Sequence, residues 1–152
     1  MGKRLLKPEV GDVFAIPLPD GDQAIGQVVA GVEDLGSVGC ALFSVKHHPN
    51  RPLPKLVQPI SVLLVTPELL QRRVWPVIEQ RAVKVSSNHF GWEAFRRGLW
   101  VGAKIYGAGI IREFMEAYHG FSPWDAMADP KYFNKLLVNG ATKPPGAYVS
   151  GG

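Results

Sequence analysis

Tyr106-Gly107-Ala108-Gly109-Ile110-Ile111-Arg112-Glu113-Phe114-Met115-Glu116-Ala117-Tyr118-His119-Gly120, followed by Pro123-Trp124-Asp125, is the stretch that decides the fold class. Ile110, Phe114 and Tyr118 recur at helical spacing, and Ile111 and Met115 widen the apolar stripe. Arg112, Glu113, Glu116 and His119 take the opposite face, as in a helix lying on a core. Gly109 is placed to start the helix. Gly120 is placed to end it, because a glycine enters the left-handed conformation without a Cβ clash. His119, at the negative end of the helix dipole, is read as a polar residue whose cation would be favoured there. A helix with one apolar stripe needs an apolar surface to cover.

The first half of the chain supplies that surface and reads as strands. Val13-Phe14-Ala15-Ile16-Pro17-Leu18 follows a Gly11-Asp12 turn, and Pro19-Asp20-Gly21-Asp22 is a strong turn signal. Residues 24–30 return as the second strand of a hairpin, and residues 38–45 form a third. Pro49, Pro52 and Pro54 make 47–56 a loop or sheet edge, since proline cannot donate to a ladder. Residues 58–65 read as a fourth strand. Thr66-Pro67-Glu68 is a short helical turn with proline at its first position, and 74–79, carrying Trp75, is a fifth strand. Residues 83–85 continue it or pair with it.

The segments after Gly120 carry further helix signals. Ser122-Pro123-Trp124-Asp125 has the composition of a capping box, with Ser122 as N-cap. Asp129-Pro130 opens a second helix over 131–138, in which Tyr132/Leu136 and Phe133/Leu137 are i, i+4 apolar pairs. The expectation is one α+β domain over 1–152. Its β-rich part, 10–85, is a twisted antiparallel, partly barrel-like sheet. Its helical part, 109–138, packs on that sheet, and a loose, extended tail occupies 141–152. Phe114, Tyr118, Trp124, Phe133 and Leu137 should form one cluster.

Composition narrows the function. The chain has 152 residues, 46% hydrophobic and 20% charged, enough for one core and too apolar for disorder. No apolar run is long enough to span a bilayer, and the basic start lacks the pattern of a secretory leader, so a cytoplasmic location is expected. The single Cys40 excludes an internal disulfide and a thiolate-rich zinc site, and its apolar neighbours mark it as buried filler. The net charge of +4 comes from scattered lysines and arginines. Only Arg96-Arg97, beside Trp92, Phe95 and Trp100, groups basic and aromatic residues as a nucleic-acid surface does, so nucleic acid is not the expected partner.

Catalytic patterns are missing. The four histidines, His47, His48, His89 and His119, form neither His-x-His nor His-Glu-x-x-His. There is no Gly-x-Ser-x-Gly elbow and no Gly-Lys-Ser/Thr phosphate loop. Gly107-Ala108-Gly109 lacks a third glycine, because Arg112 stands there, so close packing explains it better than anion binding. No cofactor, metal or catalytic residue is expected.

Val10 to Leu18, followed by Ile25-Gly26-Gln27-Val28, resembles the opening of the immunity protein 26 family. Residues 101–111, then Phe114, Ala117-Tyr118, Gly120, Pro123-Trp124-Asp125, Asp129-Pro130 and Tyr132, resemble its C-terminal blocks. The resemblance covers 10–31 and 99–138; the stretch 46–98 agrees only in general character. It implies a bacterial immunity protein of a polymorphic toxin system, one that neutralises a toxin domain by binding it. It carries over no catalytic residue. A small phosphotriesterase-like hydrolase and a nucleic-acid-binding barrel remain the alternatives.

Two groups are the candidate contact residues. One is the acidic rim of turn residues Asp20, Asp22, Glu33 and Asp34. The other is the aromatic-acidic group Tyr118, Trp124, Asp125 and Asp129. Aromatic rings anchor protein interfaces, and acids suit a toxin that itself binds nucleic acid or carries a basic active site. Trp124 is equally suited to plug the core, and Asp125 to close the cap.

Overall fold

The computed structural model describes residues 5–32, 36–86, 104–138 and 141–150. In chain order the elements are β1 (Asp12–Pro17), β2 (Gln23–Val32), β3 (Ser37–His47) and β4 (Ser61–Val65), then α1 (Glu68–Gln71), β5 (Val77–Gln80), β6 (Ile105–Tyr106), α2 (Ala108–Tyr118) and α3 (Tyr132–Leu136). The fold is α+β with C-terminal helices on a sheet, as the sequence predicts.

Among the described residues the sheet is open, not closed into a barrel: six strands run in the order β5-β1-β2-β3-β4-β6. It is also mixed. The pairs among β5, β1, β2, β3 and β4 are antiparallel, but β6 lies parallel to β4, with Leu64 opposite Ile105 and Val65 opposite Tyr106. Two residues are too few to show a period, so β6 exists only because β4 offers it a free edge. Trp75 lies outside β5, which starts at Val77; its N–H bonds to Leu69 O and its ring stacks on Phe14 with centroids 5.6 Å apart. The fourth strand is likewise shorter than expected, starting at Ser61 after the proline at 59.

Alternation along β1 sorts its side chains onto two faces. Phe14 and Ile16 join Val28, Cys40, Leu42, Leu63 and Val65 in a cluster covered by Ile111, Phe114, Met115, Trp124, Phe133 and Leu136. Val13 and Ala15 join Ile25, Val29, Ala41, Phe43 and Leu64 in a second cluster, covered by Leu56 and Val85. Cys40 is buried as expected, and that burial pushes its thiol pKa up. Gly26 faces Phe14 across the β1–β2 ladder; a Cβ there would collide with the Phe14 ring and meet Leu42 Cδ2 at 3.1 Å. The missing side chain is the space the Phe14 ring fills.

Helix α2 is fixed at both ends. Gly107, extended at φ −68° and ψ 145°, precedes its first residue Ala108, whose N–H donates to Thr66 Oγ1 at 3.1 Å. Thr66 therefore caps α2 from across the molecule instead of capping α1. At the other end Gly120 has φ +86°. Its N–H bonds to Ala117 O and that of Phe121 to Glu116 O, a Schellman closure that satisfies two of the last carbonyls.

The expected capping box does not form. Pro123-Trp124-Asp125 is not helical, and the Ser122 hydroxyl is buried without a hydrogen-bond partner. Residues 121–131 run as turns instead. Asp129 Oδ1 accepts from Lys131 N–H at 2.9 Å just before α3, and Ser61 Oγ donates to Leu136 O at its end, tying α3 to β4.

Candidate recognition surface

The β1–β2 turn is built by Asp20 and Gly21. Asp20 Oδ1 accepts from Asp22 N–H at 3.1 Å, and Gly21 sits at φ +90°, where a side chain would be strained. From the far end of β3, Lys46 reaches over this turn. Its ammonium bonds to the Asp20 carboxylate and lies 3.4 Å from Asp22 Oδ2. The same ammonium sits 5.3 Å from the centroid of Phe121, the residue that closes α2. The Lys46 hydrogen bond holds the Asp20 carboxyl below the usual carboxylate range, and Asp20 in turn raises the lysine.

His119 lies beside this group. Burial, with the Lys46 charge next, lowers its pKa to about 4. The ring is neutral at pH 7, so the expected cation at the helix end is not there. Its Nε2 is buried without a hydrogen-bond partner. Tyr118 meets His119 edge-on at 5.3 Å and lies 6.4 Å from Trp124, and burial raises its phenol pKa.

Trp124 is only 2% exposed. It packs against Phe114 at 5.7 Å and Phe133 at 5.6 Å, while its Nε1–H donates to Asn134 Oδ1 at 3.0 Å. Leu137 packs on the edge of this group, so the five residues expected to cluster do so. Asp125 is bound by Ser150, whose N–H donates to it at 2.7 Å and keeps its carboxyl low. The tail thereby crosses the turn, where Trp124 N–H also donates to Tyr148 O at 2.6 Å. Asp129 pairs with Lys135 Nζ at 2.6 Å, which holds its pKa low.

A chain of contacts thus links Asp20 and Asp22 through Lys46 and Phe121 to the α2 terminus, and through Tyr118 to Trp124 and Asp125. Two sequence-separated groups become continuous. The acids Asp20, Asp125 and Asp129 each hold a local partner, and the Trp124 ring lies inside the protein. Glu33 and Asp34 lie outside the described residues, as do His89, Arg96, Arg97 and their aromatic neighbours.

Sequence reasoning missed Lys46 and Phe121, which carry the junction, and no local signal marks them. It also missed Gln27, for which a signal exists. Gln27 shares its strand parity with the apolar Ile25 and Val29, and a polar residue at a buried-parity position needs partners. It is 1% exposed, and its Nε2 donates to Gly11 O at 3.3 Å and Arg81 O at 3.0 Å.

His47 and His48 end β3 in different settings. His47 Nε2 lies 2.8 Å from Arg51 O and Nδ1 3.0 Å from Gln23 Oε1, so both ring nitrogens are engaged. His48 Nδ1 accepts from Asn50 N–H at 3.2 Å. Among the described residues no three or more His, Cys, Asp or Glu side chains converge as a metal site would require, and no helix is long and apolar enough to cross a membrane.

A mixed sheet with C-terminal helices packed on one face defines an α+β protein. The family model described as Immunity protein 26 matches residues 9–105, well over half of the sequence, and the chain belongs to that family. The match takes in the middle stretch that resembled the family only in general character, and it ends before α2. No curated protein and no solved structure gave a match.

Proposed function

We propose that this chain is the immunity partner of a bacterial polymorphic toxin, acting in the cytoplasm and neutralising its cognate toxin domain by direct binding. Family membership over residues 9–105 carries the reading. The continuous rim from the β1–β2 turn to the end of α2 supports a contact surface there. Asp20 and Asp22 meet the partner at the turn. Tyr118 and Phe121 offer partly exposed rings, and Trp124 holds the loop bearing Asp125 and Asp129 in position from beneath. Glu33 and Asp34 are proposed as further acidic contact residues.

The test is to identify the neighbouring genes and co-express the chain with the variable C-terminal domain of a large secreted protein encoded there. Growth is restored, and the two chains purify as a stoichiometric complex. Asp20→Lys with Asp22→Lys slows association, most at low salt, because charge on a rim acts chiefly on the encounter rate. A chain that neither restores growth nor binds that domain overturns the reading.

A further inference from the structure

We propose that a cavity on the second face of the sheet, away from the aromatic rim, binds a small amphipathic anion: an aromatic or short acyl body carrying one carboxylate, sulfonate or phosphate. The cavity has a volume of about 440 Å³ and is lined by Gln27, Lys55, Leu56, Val57, Arg81, Ala82 and Lys84. That size falls within the range of small-ligand sites, which combine apolar walls with a few fixed polar groups.

The walls and the charges are separately arranged. Leu56, Val57 and Ala82 give the apolar surface. Arg81 does not contribute a free charge. Its guanidinium donates to Leu53 O at 2.9 Å and to Pro54 O, and it pairs with Glu79, so it pins the 81–84 segment to the 53–57 connection and holds the cavity's walls in place. Lys55 and Lys84 are exposed on the rim, and among the described residues neither has an ion-pair partner. Two unneutralised cations beside apolar walls are complementary to an anion with an apolar body.

Gln27 also holds the cavity wall in place. Its amide nitrogen is committed to Gly11 O and Arg81 O, which leaves Oε1 buried without a donor beside the cavity. A buried carbonyl oxygen without a donor is rare, and here it belongs to a residue of the cavity wall. The proposal needs no toxin and stands or falls apart from the immunity reading.

The probe is 8-anilinonaphthalene-1-sulfonate, an aromatic amine with one sulfonate, titrated into the full chain and followed by fluorescence. Saturable binding to one site is expected, with the near-ultraviolet circular dichroism of the native protein retained. N-phenyl-1-naphthylamine, the same ring system without the sulfonate, binds at least about tenfold more weakly if the rim lysines matter. Lys55→Glu with Lys84→Glu lowers sulfonate affinity by at least about tenfold while leaving the melting temperature in place. Ala82→Trp, which fills the cavity from an exposed position, abolishes saturable binding. The proposal is overturned by non-saturable binding, by equal affinity of the charge-reversed variant, or by equal affinity for the uncharged analogue.

Discussion

The two faces of the sheet are buried by different kinds of cover. On one face, α2, α3 and the Trp124 loop lay a tight aromatic cluster over Phe14, Ile16 and Leu42. On the other, the described cover is extended chain, from Leu53 to Leu56 and from Val83 to Val85. A helix brings its own hydrogen bonds and so can press a continuous stripe onto a sheet. Extended chain must tie its backbone elsewhere, and here Arg81 and Gln27 do so with their side chains. The difference teaches where rigidity and where hollow space arise: close ring packing beneath helices, and a cavity beneath strand-like cover.

The comparison breaks first at the aromatic face. Trp124→Ala should cost about 3–5 kcal/mol in chemical denaturation, because the ring is enclosed by Phe114, Phe133 and Tyr118 and leaves a cavity. Leu56→Ala, on the other face, should cost nearer ~2 kcal/mol, since extended cover relaxes into the space more readily. Equal losses would show that both faces are packed alike.

A pH series sharpens the contrast at the rim of the helix face. The folded pKa of His119 is lowered to about 4, below the ordinary value of about 6.5 expected when unfolded. The unfolded chain therefore takes up a proton that the folded chain excludes. Stability from this residue is complete above pH ~6.5 and declines as the pH falls towards 4. His119→Gln should flatten the melting temperature across that window; an unchanged slope would locate the acid sensitivity elsewhere.

The smallest effect belongs to the exposed turn. Asp20→Ala breaks the pair with Lys46, but both groups are open to solvent, so thermal melts should be indistinguishable from the parent. The same variant should still slow association with the proposed toxin partner, because Lys46 keeps only Asp22 to hold it over Phe121. A large drop in melting temperature would mean that the turn supports the aromatic face structurally.

Much of this architecture was legible in the residues, where one periodic signal sufficed. The stripe of Ile111, Phe114 and Met115 and the glycine at 120 define α2 to within a residue at either end. Pro19-Asp20-Gly21-Asp22 fixes the first hairpin. What was hidden depends on distant partners. Ile105-Tyr106 becomes a strand only beside β4, and Ser122 fails as a cap because Pro123-Trp124-Asp125 is not helical. The candidate rim was half legible: the acids and aromatics could be named, but not their neutralisation by Lys46, which lies 26 residues from Asp20. Nor could periodicity show that Trp124 points inward while Tyr118 stays partly open.

The parallel alignment of β6 with β4 sets an order on synthesis. Strands β1 to β4 can pair as soon as they emerge, since each joins its neighbour by a local connection. Their helix-facing side then waits for residues 108–136, and Thr66 waits with its hydroxyl for the N–H of Ala108. A nascent or truncated chain ending at residue 105, the limit of the family match, carries Phe14, Ile16 and Leu42 without the cover of Ile111, Phe114, Met115, Trp124 and Phe133. Exposed apolar surface of this kind favours aggregation. The sequence beyond residue 105 therefore acts late, as the step that covers the helix-facing side of the sheet.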